Sequence, residues 1–306
     1  MKIDKELVKG VAYYIGDGRS SAPRSLSTVN QNVETIKFFI KWLRKYFDIP
    51  LKKIKIGIKM NTPNFYEDDI RKEFSKKLKI KEKFIFSVSI KDKAKEHHKI
   101  VTEIWAHNSK AKRTYDKLVP IVKRKCLKNR RLAIEYVKGI MAAEGSPKYD
   151  IKSGSRNVHL KMKNENEIKY IGKLLNEIIG IKSSVLRIRT EEGMWLITIS
   201  GFYELNKLKD LDIFEIESEK RKKFIKIVGS YKRAQVKKGD VNRFYIEKLK
   251  FYNERYNKRI TAPELAKIIG RDRTRIVNVL RQLEKKGLIQ SQRRKTIGRP
   301  FEFWVR

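Results

Sequence analysis

The chain has 306 residues, with 74 Lys and Arg against 35 Asp and Glu and a formal charge of +39. That length holds two or three domains with a sizeable core, and that charge excludes an ordinary enzyme of small neutral metabolites and makes a polyanion the expected partner. No apolar run approaches a membrane span, no signal-like N-terminus is present, and a single cysteine, Cys126, excludes a disulfide framework or a thiolate zinc site. A cytoplasmic protein that binds no membrane is therefore expected.

Taken in order, Asp4 to Gly18 (DKELVKGVAYYIGDG) is a capped apolar run of helical length in which the small residues Ala12 and Gly16 stand four apart. The stretch after Gly18 reads as strand and turn, and 33–47 as an amphipathic helix. Lys53 to Met60 then alternates Ile54, Ile56, Ile58 and Met60 with Lys53, Lys55, Gly57 and Lys59, the pattern of a half-buried strand. A helix (68–78), strands (83–90, 99–107) and a helix from Ser109 to about Lys125 complete an α+β order that predicts an antiparallel sheet.

Asn129 to Gly145 (NRRLAIEYVKGIMAAEG) repeats the opening theme. Asn129 caps it, Gly139 and Ala143 stand four apart, and it ends on Glu144-Gly145 as the first ends on Asp17-Gly18. Small residues at that spacing give each helix a flat face, so the two can approach backbone to backbone. Glycine at the end is expected to stop each helix in the left-handed conformation. The acid beside it is less usual: a carboxylate in the last turn opposes the helix dipole at a cost of about 0.3–1 kcal/mol. If the faces pack, the two carboxylates also repel each other. A divalent cation resolves both conflicts, and Mg²⁺ or Mn²⁺ held by one or two carboxylates is the ion for phosphodiester cleavage.

The second copy continues with a strand pair ending in Val158 to Lys163, a helix at 164–180, and strands from Ser184 to Arg189 and Met194 to Ser200 around Glu191-Glu192-Gly193. His159, Lys161 and Lys163 alternate with apolar partners, and Arg187 and Arg189 share a face. Together with Lys55 and Lys59 these form strand faces that contain no acid. Such faces either solvate a lysine-rich protein or line a groove for duplex DNA, and the absence of mixed signs favours the groove. The four histidines, His97, His98, His107 and His159, lack zinc-ligand spacing.

After a helix near 217–229 and a linker from Ser230 to Asp240, Thr261-Ala262-Pro263-Glu264 forms a capping box that opens a short helix stopped by Gly270. Asp272 caps a longer helix with an apolar stripe of Ile276, Val279, Leu280 and Leu283, and the segments after Gly287 can pair as a hairpin across Lys295 to Arg299. From Tyr231 to Arg306 there are 22 basic and 7 acidic residues. This excess fits a phosphate-facing surface.

Gly10 to Gly18 and Val137 to Gly145 resemble the nine-position LAGLIDADG motif of homing endonucleases, present twice in one chain, although Ile15 and Ala142 replace the family's earlier Asp. The resemblance implies an α+β fold of two pseudo-symmetric αββαββα repeats forming a saddle, 1–127 and 128–230, with Asp17 and Glu144 as catalytic and metal-binding residues. The order short helix, turn, long helix, hairpin resembles the winged helix-turn-helix family. That implies a DNA-binding domain at 231–306 whose second helix brings Arg271, Arg273, Thr274, Arg275 and Asn278 to the bases, with Arg294 and Arg299 on the hairpin.

The expected function is a monomeric, metal-dependent endonuclease cutting a pseudo-symmetric double-stranded DNA target. The alternatives are a regulator that binds DNA without cutting it and an RNA-processing endonuclease or maturase. The sequence does not single out a basic residue beside the metals.

Overall fold

The computed structural model describes residues 2–19, 23–60, 66–90, 100–150, 155–231, 239–269, 273–293 and 301–305. Its contacts group them into two units, Met1–Val228 and Gly229–Arg306.

In the first unit Asp4 caps α1 (Lys5–Asp17) through a 2.9 Å bond from the Leu7 amide to its Oδ1. Then follow β1 (Ser25–Asn30), α2 (Val33–Phe47), β2 (Ile54–Met60), α3 (Glu67–Leu78), β3 (Ile85–Ile90), β4 (Ile100–His107) and α4 (Ser109–Lys128). Asn129 caps α5 (Arg130–Glu144), which leads into β5 (Gly145–Asp150), β6 (Ser155–Met162) and α6 (Glu165–Lys173). A π-helical run, Leu174–Ile179, extends α6, and β7 (Ser184–Arg187), β8 (Trp195–Ser200), α7 (Phe202–Asp210) and α8 (Ser218–Gly229) complete the order. The alternating stretch at 54–60 behaves as its pattern demands, with Ile54, Ile56, Ile58 and Met60 buried and Lys55 and Lys59 exposed.

The α+β class and the two repeated halves expected from the sequence are present, each half carrying one four-stranded sheet. The halves trace those sheets differently. The second runs β5-β6-β8-β7 and is antiparallel throughout, whereas the first runs β1-β4-β2-β3. In the first, β2 and β3 are parallel, which corrects the expectation of a wholly antiparallel sheet. The cause is in the connections. α2 separates β1 from β2 and α3 separates β2 from β3, and a helix-long crossover permits parallel neighbours where a tight turn forces antiparallel ones.

The two helix-ending glycines also differ from expectation. Gly18 (φ −70°) and Gly145 (φ −72°) are extended, not left-handed. Each passes directly into sheet pairing, Gly145 as the first residue of β5 and Gly18 in a bridge to Thr28. What each site requires is space: a Cβ would lie 2.2 Å from the Tyr14 carbonyl oxygen at Gly18 and 2.5 Å from that of Met141 at Gly145.

The second unit holds α9 (Val241–Tyr256), β9 (Ile260–Thr261), α10 (Ala262–Ile269), α11 (Arg273–Lys285), β10 (Ile289–Arg293) and β11 (Phe301–Val305). The capping box forms as written, with the Thr261 amide donating to Glu264 Oε2 at 2.7 Å and the Glu264 amide to Thr261 Oγ1 at 3.4 Å. β10 and β11 pair as the expected hairpin, and β9 adds a third strand that sequence patterning did not show. Ile276, Leu280 and Leu283 of α11 pack with Tyr245 and Leu249 of α9, Leu265 of α10 and Phe303 of β11 in one core. Gly270, Asp272, Arg271, Arg294 and Arg299 lie outside the described residues, as do His97 and His98.

Candidate nucleic-acid cleavage site

The flat faces read from the sequence meet. α1 and α5 pack so closely that a Cβ on Gly139 would stand 2.1 Å from the Lys9 carbonyl oxygen and 3.0 Å from Ala12 Cβ. One on Gly16 would stand 2.5 Å from Ala143 Cβ and 3.2 Å from Glu144 Cγ. The spacing of small residues thus fixes which ends of the helices come together. It brings Asp17 and Glu144 to one place.

Both carboxyls are half-buried and both are harder to ionise than usual. Burial is the main cause for Glu144, the nearby charge of Asp17 adds to it, and together they push its pKa up to about 7 against a partial opposing pull from Lys220. Burial likewise raises Asp17, resisted by its hydrogen bond from Asn30, by the Tyr13 hydroxyl and by the charge of Lys220. The Asn30 amide donates to Asp17 Oδ2 at 2.6 Å, and the Thr28 hydroxyl donates to the Asp17 carbonyl at 3.0 Å. β1 therefore orients the acid that ends α1.

Lys220 and its surroundings escaped sequence reasoning. From the first turn of α8 its ammonium donates to the Ala142 carbonyl at 2.7 Å and pairs with Glu217 at 2.9 Å. It thus places a cation at the negative end of α5 and within electrostatic reach of both acids. A second device locks the helix pair further along. Lys9 pairs with Glu135 at 2.8 Å, Lys138 pairs with Glu215 at 2.6 Å, and Lys9 also pairs with Glu215. No local pattern marks Lys220 or Glu215, because each acts across a long sequence separation.

The basic residues expected to line a groove divide into groups. Lys55 and Lys59 share the outer face of the first sheet, but Lys59 donates to Glu103 at 2.9 Å, as does Arg19 at 2.8 Å. Glu103 is opposite Gly57 in the register and only 2% exposed. The acid-free faces of single strands thus acquire an acid from the neighbouring strand.

In the second sheet His159 and Lys161 share the outer face with Thr198 and Leu196, and Lys161 pairs with the turn residue Glu191 at 2.7 Å. His159 is held below the usual histidine range by burial and by Lys148 and Lys161. Lys163 is exposed just beyond β6. Arg187 is opposite Trp195, which pairs with the buried Met162, so it belongs to the inner side of the edge strand and does not share the face of Lys161. Arg189 lies in the turn after β7, exposed and outside the strand expected to carry it. In the second unit Arg273, Thr274, Arg275 and Asn278 are exposed along the N-terminal half of α11.

Among the described residues no group of three or more His, Cys, Asp or Glu is placed to hold a metal, and no helix is long and apolar enough to cross a membrane.

Comparison with known proteins gives two results. Residues 256–303 match the model of the sugar-specific transcriptional regulator TrmB family, so the second unit carries a TrmB-like winged-helix signal. Solved structures similar to the chain include full-length DUF199/WhiA from Thermotoga maritima, 13% identical over 94% of this chain and 93% of that one with a TM-score of 0.44. The homing endonuclease I-DmoI in complex with DNA and Ca is 16% identical over 68% and 88%, with a TM-score of 0.39. The homing endonuclease I-WcaI bound to its DNA recognition sequence is 14% identical over 73% and 88%, with a TM-score of 0.41. No curated protein matches. At these identities and TM-scores the likeness carries no argument about activity, so the reading of the site rests on this chain's own residues.

Proposed function

We propose that the chain is a site-specific, divalent-metal-dependent endonuclease of double-stranded DNA, in which each of the two helix-ending acids serves one strand. The observation that supports this reading most is the meeting of Asp17 and Glu144, far apart in sequence, in a half-buried place where burial makes both harder to ionise and the charge of Asp17 adds to the effect on Glu144. A pair left like this gains from a cation between its members. The donor set fits Mg²⁺ or Mn²⁺: oxygen only, two protein carboxylates, and further positions left for water and substrate phosphate. When bound, such an ion supplies an activated water and stabilises the leaving oxygen.

The chain's own groups supply the rest. Asn30 orients Asp17, and the closely packed α1 and α5 fix the separation of the two acids. Lys220 brings a positive charge to the place where a scissile phosphate gathers negative charge. Lys55, Lys59, His159, Lys161 and Lys163 would face the duplex, with Arg187 and Arg189 at the edge of the second sheet. Arg273, Arg275 and Asn278 of α11 would add a contact in the major groove. Because both acids come from one chain and differ as Asp and Glu, the active form is a monomer and its target is not a palindrome.

A second reading, a regulator that binds DNA without cutting, is favoured by two observations. The Lys220 ammonium already gives the two acids a cationic neighbour, and the second unit presents a basic helix of its own. Incubating the protein with a randomised duplex library and Mg²⁺ or Mn²⁺, then sequencing any ends, separates the two. The nuclease reading predicts defined ends that vanish in Asp17→Asn and in Glu144→Gln while binding persists. Tight, specific binding with no ends in the wild type supports the regulator.

A further inference from the structure

The outer face of the first sheet carries a feature that cleavage does not use. Trp105 of β4 is opposite Lys55 of β2. Its ring lies across Gly57, where a Cβ would stand 2.9 Å from Trp105 Cζ3. Only a residue without a side chain lets the far edge of the indole come this close to the strand. The Arg19 guanidinium sits over the same ring, 5.9 Å from its centroid. Beside it, at the irregularity in β2–β3 pairing, Phe86 is 63% exposed, with the Lys55 ammonium 4.6 Å from its ring centre. Two aromatic rings, each with a cation beside it, thus form one strip on a face they share with Ser87 and Ser89 of β3 and with Val29 and Val101 of β1 and β4. On the second sheet the corresponding outer positions carry Leu186, Leu196, His159 and Lys161, with no Phe, Tyr or Trp among them.

A duplex presents phosphates and base edges to a sheet, and neither calls for exposed rings. Unpaired bases present faces. Stacking on an aromatic side chain is the usual way a sheet holds them, with adjacent cations taking the backbone charge. We propose that the Trp105–Phe86 strip, flanked by Arg19 and Lys55, is a binding site for single-stranded nucleic acid that holds two unstacked bases. In a chain of formal charge +39 the backbone attraction is present everywhere, and this strip adds the part that only a base can satisfy. The site does not depend on Asp17 or Glu144, so it goes beyond the nuclease reading and stands or falls separately from it.

The test uses the full chain and fluorescence anisotropy at a salt concentration that suppresses purely ionic binding. The probes are a dT 20-mer, an rU 20-mer and an abasic deoxyribose-phosphate 20-mer of equal charge. The site predicts that the wild type binds one or both base-bearing strands at least about ten-fold more tightly than the abasic one. Phe86→Ser, an exposed position at which folding is not at risk, and Trp105→Leu should each remove most of that preference while leaving duplex affinity within about two-fold. A preference for the rU strand marks RNA as the source, and a preference for the dT strand marks DNA. Equal affinity for the abasic strand, or a preference unchanged in Phe86→Ser, overturns the proposal whether or not the protein cuts DNA.

Discussion

Lys220 donates to the carbonyl of Ala142 at 2.7 Å, and so sets a cation at the end of the helix whose last residue is Glu144. Its charge lowers the pKa of both Asp17 and Glu144 against the upward push of burial. Replacing Lys220 by Met, which keeps the length of the stem, should therefore raise the Glu144 pKa above about 7. On the nuclease reading it should also slow single-turnover cleavage by roughly 10²-fold, the usual scale for losing one electrostatic stabiliser. The acid limb of the pH–rate profile, compared between wild type and variant, reads the first effect independently of the second.

Stability should depend on pH in an uncommon direction. The folded chain keeps the Glu144 proton up to about pH 7, whereas the unfolded chain releases it near 4.5, so between those values the folded state binds more protons. Stability from this group is then lost as pH rises through that window. Asp17, also raised, acts with the same sign. The loss is on the order of 1–2 kcal/mol after allowing for solvent screening. Glu144→Gln should abolish the Glu144 share of it and melt higher than the wild type at pH 8, as denaturation curves at pH 5 and 8 will show.

The clamp across the helix pair behaves in the opposite sense. Burial alone would raise the Glu215 carboxyl, but its hydrogen bonds from Lys138 and Lys9 outweigh burial and hold it below the usual carboxylate range. Its contribution is present above that range and lost as pH falls through its lowered pKa. Glu215→Gln, which leaves Lys9 and Lys138 with only Glu135, should cost about 3 kcal/mol at pH 7 and progressively less in acid. Urea titrations at several pH values check both statements.

Gly139→Ala should be among the most damaging single substitutions in the first unit, because the added methyl meets the Lys9 backbone at 2.1 Å and backbone cannot step aside. A loss of about 3 kcal/mol is expected. Gly229→Ala, at a position with no heavy atom within 4 Å, is the control and should change stability little.

Some of this was legible in the sequence and some was not, for identifiable reasons. Asp4, Asn129 and Thr261 were readable as caps because a cap acts within three residues, and the Ile/Lys alternation of β2 was readable because a half-buried strand has period two. The small-residue spacing located the meeting of Asp17 and Glu144 because the packing of two helices depends on what each face lacks. Strand neighbours were not readable: the parallel pairing of β2 and β3 follows from which crossover packs where, and Glu103 reaches Lys59 only because β4 pairs with the other edge of β2. Arg187 fell on the inner side because it alternates in step with Val185, which is opposite the buried Ile197, and the strand ends before Arg189. Lys220, Glu215 and Asn30 act on residues far along the chain or on another element, and nothing local announces them.

The central claim is that Asp17 and Glu144 hold divalent ions together. Titration of Mn²⁺ into the protein bound to a duplex it recognises, followed by calorimetry in two buffers of different ionisation enthalpy at pH 7, tests it most directly. The account predicts binding with net release of protons, since Glu144 is about half protonated there without metal, and loss of both binding and release in the Asp17→Asn, Glu144→Gln double variant. Mn²⁺ uptake of the same stoichiometry and affinity in that variant would contradict it.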